Sequence, residues 1–247
     1  MIPRIIHQTV KNLEIPPQWV SFQAVARELH HNWEYRLWTD ADNLSLMAES
    51  AVRWMHLYES LPRNIMRADM IRYVILQKYG GLYLDLDYEL FRPFDLLEES
   101  LVLPSESDPG EEIILGNCIL ASEPGHPFWE CALTELEKSF SALGRRVLED
   151  DVLWITGPGL LTRTYKEYFL FDRSIRVPPR NTFHPRTPRN DQEYNAVRAI
   201  AGVYGVHHCA GTWRARSLTQ RVARKITTSL VGLQEGLKKP SSRGNTK

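Results

Sequence analysis

Gly80-Gly81-Leu82-Tyr83-Leu84-Asp85-Leu86-Asp87 is the stretch whose reading decides the fold. Its apolar, β-favouring residues Leu82, Tyr83, Leu84 and Leu86 predict a buried strand. Successive strand residues point to opposite faces, so Asp85 and Asp87 would present two carboxylates on one side of the strand end. Carboxylates that close repel unless positive charge lies between them. A hard divalent cation, Mg²⁺ or Mn²⁺, with part of its shell supplied by a substrate diphosphate, answers that need. The bare D-x-D pattern is short, however, and two solvated aspartates closing a turn would look the same.

Upstream, Asn64 to Tyr79 reads as a helix, with Ile65, Met66, Ile71, Val74 and Ile75 among its apolar positions. Asp69 and Arg72 stand at i and i+3 on one face, and Gly80-Gly81 supplies the stop. At the start of the chain, Arg4–Thr9 predicts a strand, Pro17–Leu29 a helix and Trp33–Trp38 a half-buried strand, together one βαβ unit. Thr39-Asp40 is expected to cap a helix continuing over residues 42–58. Downstream, a short strand is expected at Leu101–Leu103 and a loop over residues 105–112. A strand containing Gly116-Asn117 is expected over residues 113–121, and a helix over 128–143. Thr156-Gly157-Pro158-Gly159 is a turn signal before a helix from Leu160 to about Tyr168. The prolines at 178, 179, 185 and 188 argue for a loop across 176–195, and a late strand is expected over 202–208. Alternating strands and helices imply an α/β layered domain, in which ligands sit at the carboxyl ends of strands.

Composition narrows the classes. The 247 residues carry 30 Lys plus Arg against 30 Asp plus Glu, so no excess of basic charge points to nucleic acid. Cys118, Cys131 and Cys209 are widely spaced and form no C-x-x-C, which argues against structural zinc and for a reducing compartment. The N-terminal residues lack a secretory pattern, and a stretch long enough to span a bilayer is missing, so a cytoplasmic protein is expected.

Several motifs taken together resemble one family. Ile2-Pro3-Arg4-Ile5-Ile6-His7-Gln8 is similar to the opening of the glycosyltransferases with a D-x-D sugar-binding region, the Och1-like group of family 32. Arg67-Ala68-Asp69-Met70-Ile71-Arg72-Tyr73, running into Tyr79 through Asp87, resembles its most specific signature, shared with the glucosylating bacterial toxins. Gly116-Asn117, Ala121 to Pro127, Thr156-Gly157-Pro158 and His207…Trp213 follow in the family's order, so the resemblance covers about residues 2–213.

The resemblance implies a GT-A type fold, a mixed central sheet flanked by helices, over residues 1–213. It implies metal-dependent, retaining transfer of a hexose-type sugar from a UDP- or GDP-sugar to a glycan, lipid-linked or small-molecule acceptor. Asp85 and Asp87 would hold Mn²⁺ or Mg²⁺, with His207 or His208 adding a ligand; the two histidines alternate across a strand, and position relative to Trp213 favours His207. Asp69 and Arg72 would bind the donor, with Asn117 on its sugar. His7, Gln8, Gly81, Tyr83 and Trp213 complete the expected donor contacts. One departure concerns the base: the family carries a tryptophan two residues after His-Gln, where this chain has Val10. Base recognition would then fall to Trp33, Trp38 or Tyr83, each of which also reads as core. Glu149, Asp150 and Asp151 precede the Thr156 turn and read as a solvated acidic helix end rather than a nucleophile.

Beyond Trp213, basic residues at 214, 216, 221, 224 and 225 alternate with apolar Leu218, Val222, Ile226, Leu230 and Leu233. That pattern predicts a basic amphipathic helix over 214–237, packed on the domain or in peripheral contact with a membrane, before a disordered tail over 238–247. Two other functions fit the same motifs: a toxin-like transferase acting on protein, and a non-catalytic module binding sugar nucleotides or glycans.

Overall fold

The computed structural model describes residues Met1–Gly211. Trp213, the basic stretch over 214–237 and the tail over 238–247 lie outside the described residues. Strand β1 (Ile5–Thr9), helix α1 (Pro17–Leu29) and strand β2 (Glu34–Trp38) form the expected βαβ unit, with β1 and β2 parallel from Ile5↔Glu34 to Thr9↔Trp38. Thr39 caps α2 (Asp40–Ser50) with a reciprocal box: its side chain accepts from the Asp42 N–H while Asp42 accepts from the Thr39 N–H. The helix expected across residues 42–58 is broken at Ala51, where a 3₁₀ turn (Val52–Trp54) leads into α3 (Met55–Ser60).

Helix α4 (Asn64–Tyr79) has the expected bounds and is buried almost all round, including Met66, Met70, Ile71, Tyr73, Ile75 and Leu76. A helix buried on every side carries its polar residues into the interior too. Gly80, at φ 62°, turns the chain out of α4 into β3 (Gly81–Leu84). That strand lies parallel to β1 at Ile6↔Leu82 and antiparallel to β6 (Ile119–Ser122). Strand β5 (Leu101–Val102) is antiparallel to β6 and parallel to β7 (Ile175–Arg176). The main sheet thus runs β2-β1-β3-β6-β5-β7 and is mixed. One face packs on Ile2, Ala26, Tyr88, Leu90, Phe94 and Phe183, and α4 and α5 (Pro127–Ala142) pack on each other. A second, two-stranded sheet pairs β4 (Tyr88–Leu90) with β8 (Gly205–His207) in antiparallel fashion. Helices α6 (Glu149–Ile155) and α7 (Pro158–Thr164), with a π-helical extension over Tyr165–Phe169, flank the Thr156 turn. Short α8 (Arg180–Phe183) and α9 (Asp191–Ala199) complete the described chain.

Three expectations need correction. Asp85 and Asp87 do not alternate on one strand: β3 stops at Leu84, and a turn closed by Tyr88 N–H to Asp85 C=O (3.1 Å) passes the chain from the large sheet to the small one. Residues 113–118 are loop, tied by a single bridge between Leu115 and Ser105, so β6 begins only at Ile119. The proline-rich span over 176–195 contains α8 and the start of α9; Asn190 caps α9 by accepting from the Glu193 N–H, a signal present in the sequence as Asn followed three residues later by Glu.

The double glycine is a packing requirement. A β-carbon on Gly80 would stand 2.6 Å from the Ser122 carbonyl oxygen, and one on Gly81 (φ 90°) 2.6 Å from that of Ile5. Both close approaches are to backbone, which cannot step aside. Gly81→Ala is therefore expected to lower unfolding free energy by about 2–4 kcal/mol, read as a lower urea midpoint, whereas Gly110→Ala is expected to lose less, because at its φ of 88° a β-carbon brings backbone strain but meets nothing within 4 Å.

Candidate active site

The site gathers where β3 leaves the main sheet. Because β6 is antiparallel to β3, the segment entering it, Gly116-Asn117-Cys118, lies beside the end of β3, and the Asp85 N–H donates to the Cys118 carbonyl at 2.8 Å. Strand β8 reaches the same place from the small sheet, with Tyr88 opposite His207 and the His208 N–H on the Asp87 carbonyl at 3.0 Å. Helix α4 contributes Asp69 and Arg72 from below.

Arg72 ties these elements together. Its Nη2 lies 2.9 Å from Asp69 Oδ1, its Nη1 lies 3.3 Å from Asp85 Oδ1 and 2.5 Å from the Asn117 carbonyl oxygen, and its Nε donates to the Ala68 carbonyl at 3.2 Å. The guanidinium also lies over the Tyr83 ring, 4.7 Å from its centroid. Asp69 accepts further from Asn117 Nδ2 at 3.0 Å and from Thr156 Oγ1 at 2.8 Å. Side chains of Asp69 and Arg72 are 5% and 3% exposed, which rules out a solvated surface pair. Burial pushes Asp69 up to about 6, with Arg72 as the largest opposing pull. Burial also acts against charge on Arg72, and Asp85, Tyr83 and Asp69 more than restore it.

Asp85, Asp87 and His207 each offer a ligand atom within 4.8 Å of the others, all on half-buried residues. Tyr83 Oη donates to Asp85 Oδ1 at 2.9 Å and lies 3.0 Å from Thr9 Oγ1, so Tyr83 orients this carboxylate from inside the core. His207 Nε2 lies 3.1 Å from Asp87 Oδ1, and the Ala210 N–H donates to Oδ2 at 2.8 Å. Burial raises the Asp85 pKa, Arg72 opposing it; burial is also the largest single influence on Asp87, but the hydrogen bond and charge of His207 together with the Ala210 and Asp87 backbone N–H groups outweigh it and lower its pKa. Two carboxylates and an imidazole so placed suit a divalent cation.

Other expected residues fall elsewhere. His208 does not face this cluster: its Nε2 pairs with Glu89 Oε2 at 2.9 Å and its ring stacks on Phe22. His7 is fully buried, with Nε2 donating to the Gly80 carbonyl at 3.0 Å and Nδ1 accepting from the Trp38 indole at 3.1 Å, so neither ring nitrogen is left for a donor. Gln8 is buried too, its Oε1 accepting from Tyr35 Oη at 2.7 Å. Gly81 serves backbone packing, as above. Tyr83 is wholly buried and Trp38 is engaged by His7, while Trp33 lies edge-on to His30 and Phe94. Tyr83 therefore serves the interior, while Trp33 and Trp38 are only partly buried. Asp150 is exposed and Asp151 is held by Arg145 at 2.7 and 2.8 Å. Thr156 was legible only as a turn; its hydroxyl reaches Asp69, and its carbonyl Tyr73, from the residue that ends α6.

A mixed sheet of this order, with a carboxylate–carboxylate–imidazole cluster at the exit of β3, is a fold of the GT-A type. Residues 16–103 match the family described as glycosyltransferase sugar-binding region containing DXD motif. The chain is 33% identical over 179 residues to inositol phosphoceramide mannosyltransferase 2 of Schizosaccharomyces pombe, covering 72% of this chain and 50% of that protein. It is 42% identical over 127 residues to inositol phosphoceramide mannosyltransferase 3 of the same yeast, covering 51% and 35%. The chain thus spans about half the length, or less, of these curated relatives. Among solved structures it resembles the ligand-free glycosyltransferase domain of the YGT toxin, with a TM-score of 0.57 at 9% identity over 74% of this chain and 82% of that one; this is a likeness of fold.

Two outcomes are expected from these contacts. Arg72→Met leaves Asp69 buried without its charge partner and should cost about 3–5 kcal/mol in unfolding free energy, measurable by urea titration. For His7, burial lowers the pKa from 6.5 to about 4, so between those values the unfolded chain takes up a proton that the native state refuses. Its contribution is present above pH 6.5 and is lost as pH falls toward 4, at up to about 1.4 kcal/mol per pH unit. His184, lowered to about 3 by burial, acts in the same direction. Asp69, raised to about 6, acts the other way over part of this range, so the test is a difference: the fall in urea midpoint between pH 6.5 and 4.5 is expected to be smaller in a His7→Gln variant than in the wild type.

Proposed function

We propose that this protein transfers a hexose, with mannose favoured, from a nucleotide-sugar donor to a lipid-linked or glycan acceptor, with retention of configuration. The observation that carries this reading is the convergence of Asp85, Asp87 and His207 on one point, ligand atoms within 4.8 Å, beside the buried Asp69–Arg72 pair. Asp85, Asp87 and His207 would hold Mn²⁺ or Mg²⁺. When bound, the cation supplies positive charge against the diphosphate that leaves as the glycosidic bond breaks.

The chain's own residues set the geometry around it. Arg72 and Tyr83 hold Asp85 at Oδ1, and the Ala210 N–H holds Asp87 at Oδ2. Asp69 and Asn117, fixed to each other at 3.0 Å, are assigned to hydroxyls of the donor sugar. Trp213 is kept as a donor contact by its place in the family's order of motifs. His207 is the ligand and His208 is not, because Glu89 holds the latter. The acceptor class is drawn from the relatives, whose names specify inositol phosphoceramide and mannosyl transfer. Transfer to protein gains no support from the toxin neighbours, whose low identity speaks for fold alone. The intact cluster speaks against a module that only binds sugars.

No helix among the described residues is long and apolar enough to cross a membrane. Peripheral contact through 214–237 is the route we propose to a lipid acceptor, and a cytoplasmic location goes with it.

Radiolabelled GDP-mannose, tested beside UDP-sugars, is expected to give cation-dependent hydrolysis or transfer that chelator abolishes. Asp87→Asn and His207→Ala are each expected to lower turnover by about 10²-fold or more, and to weaken Mn²⁺ binding by calorimetry. Undiminished turnover by Asp87→Asn in excess chelator would refute the reading.

A further inference from the structure

A cavity of about 440 Å³ lies apart from the carboxylate–imidazole cluster, between the corner that joins α3 to α4 and the segment that leads from the end of α5 into α6. Pro62 and Arg63 line it from the first side, and Phe140, Arg145, Arg146 and Val147 from the second. Its volume is that of a small-molecule site. Three of its side chains end in guanidinium groups, and no carboxylate lines it among the described residues. Pro62, Phe140 and Val147 give it an apolar wall. A cleft lined by one sign of charge beside such a wall concentrates the field on whatever enters it.

The three arginines are not equivalent. Arg145 is used by the fold: its two terminal nitrogens pair with Asp151 at 2.7 and 2.8 Å, and Nη1 also donates to the Arg146 carbonyl at 3.0 Å. It thus holds the backbone that carries Arg146. Arg146 is exposed and Arg63 half-buried, and neither side chain makes a hydrogen bond or ion pair among the described residues. Arg63 is the cap residue of α4, makes no cap hydrogen bond, and is followed by a first turn without an acidic residue. Positive charge at a helix N-terminus opposes the helix dipole, and Ser, Asp or Asn would stabilise that position instead. Asp151 neutralises Arg145, so Arg63 and Arg146 leave on the cavity two positive charges that no ion pair matches. Residues that break a local rule of stability in this way mark functional positions, and an anion between the two would relieve their repulsion.

Guanidinium groups suit phosphate, which they meet with parallel N–H donors. The apolar wall suits the carbon skeleton of an organic phosphate better than a bare ion. The cavity's place in the fold indicates which molecule carries that phosphate. Arg63 stands six residues before Asp69, an axial rise of about 9 Å along α4. Helix α6 bridges the same interval, with Asp151 on Arg145 and the residue that ends it, Thr156, donating to Asp69 at 2.8 Å. The cavity and the pair assigned to the donor sugar therefore share one end of α4. The donor's diphosphate already has its proposed partner in a cation held by Asp85, Asp87 and His207, which leaves the acceptor.

We propose that Arg63 and Arg146 bind a phosphate group of the acceptor, which anchors it while a hydroxyl further along the molecule reaches the donor sugar beside Asp69. The site takes a phosphate ester of a polyol, either free or as the headgroup of a lipid. Its place in the reaction rests on the glycosyl-transfer reading above, whereas the binding of phosphate does not.

Calorimetric titration of the full chain with myo-inositol 1-phosphate in excess EDTA tests the binding, because no cation then recruits the carboxylate–imidazole cluster. The wild type is expected to bind, and the double variant Arg63→Ala/Arg146→Ala to bind about tenfold more weakly or worse, as loss of charge-assisted hydrogen bonds implies. That variant should keep its urea midpoint and its affinity for GDP-mannose with Mn²⁺. Arg173→Ala/Arg176→Ala removes the same charge outside the cavity and should bind as the wild type does. Sedimentation with phosphatidylcholine vesicles containing phosphatidylinositol separates the two sources. Co-sedimentation that the cavity variant loses assigns the phosphate to a lipid headgroup; co-sedimentation that is absent, or equal in wild type and variant, assigns it to the free ester. In the transfer assay the cavity variant should raise KM for the phosphorylated acceptor by about tenfold or more, with KM for GDP-mannose and donor hydrolysis unchanged. A wild type that binds neither the free ester nor the vesicles, or an equal loss in the two double variants, overturns the proposal. Failure to bind any nucleotide sugar would fell the transfer reading separately, since the titration in EDTA still tests the cavity.

Discussion

The buried Arg72 guanidinium is the interaction on which the rest of the site depends. It sits inside the protein, on a helix enclosed on nearly every side, and it is satisfied by Asp69, Asp85, the Asn117 carbonyl and the Ala68 carbonyl. Burying a charge is costly unless partners surround it. Here the partners come from α4, from the exit of β3 and from the segment that enters β6. None of these can shift without leaving a charge unpaired, so the electrostatic requirement holds three elements in mutual register. Tyr83 seals the arrangement by placing its ring under the guanidinium and its hydroxyl on Asp85.

Above this base the chain makes its decisive change of direction. The turn over Leu86-Asp87 moves it from the six-stranded sheet to the two-stranded one, and β8 returns there to put His207 beside Asp87. The carboxylates are thus brought together by a turn between sheets. That difference matters for their chemistry. On a single strand both would share one environment, whereas here Asp85 is governed by Arg72 and the core, and Asp87 by His207 and the Ala210 N–H. Their pKa shifts accordingly run in opposite directions. Unequal environments give the two carboxylates a physical basis for different roles toward the proposed cation.

Much of this was legible in the residues, and the failures have identifiable causes. The first βαβ unit and the bounds of α4 followed from periodicity, from Thr39 as a cap and from Gly80 as a stop. Asp69, Arg72, Asp85, Asp87, Asn117 and His207 do assemble in one place. The roles given to His7 and Gln8 did not survive, because their polar atoms are taken up by Gly80, Trp38 and Tyr35 inside the protein. Polar residues in a strand look alike in sequence whether they face a ligand or a buried partner. The helix α9 was hidden by neighbouring prolines, although its Asn190 cap was visible.

By itself the sequence determined the resemblance to one family, the alternation of strands and helices, and the residue types on which the proposed cation site rests. Those are consequences of local pattern: apolar period, glycine stops, helix caps and the order of short motifs. Only the tertiary structure decided which polar groups face one another. Asp69 with Thr156, His207 with Asp87, and His208 with Glu89 instead of the cluster are contacts between segments 87, 120 and 119 residues apart. Such contacts are set by sheet order and strand register, and register acts on every side chain at once: a shift of one residue on β8 would exchange His207 for His208 at the site.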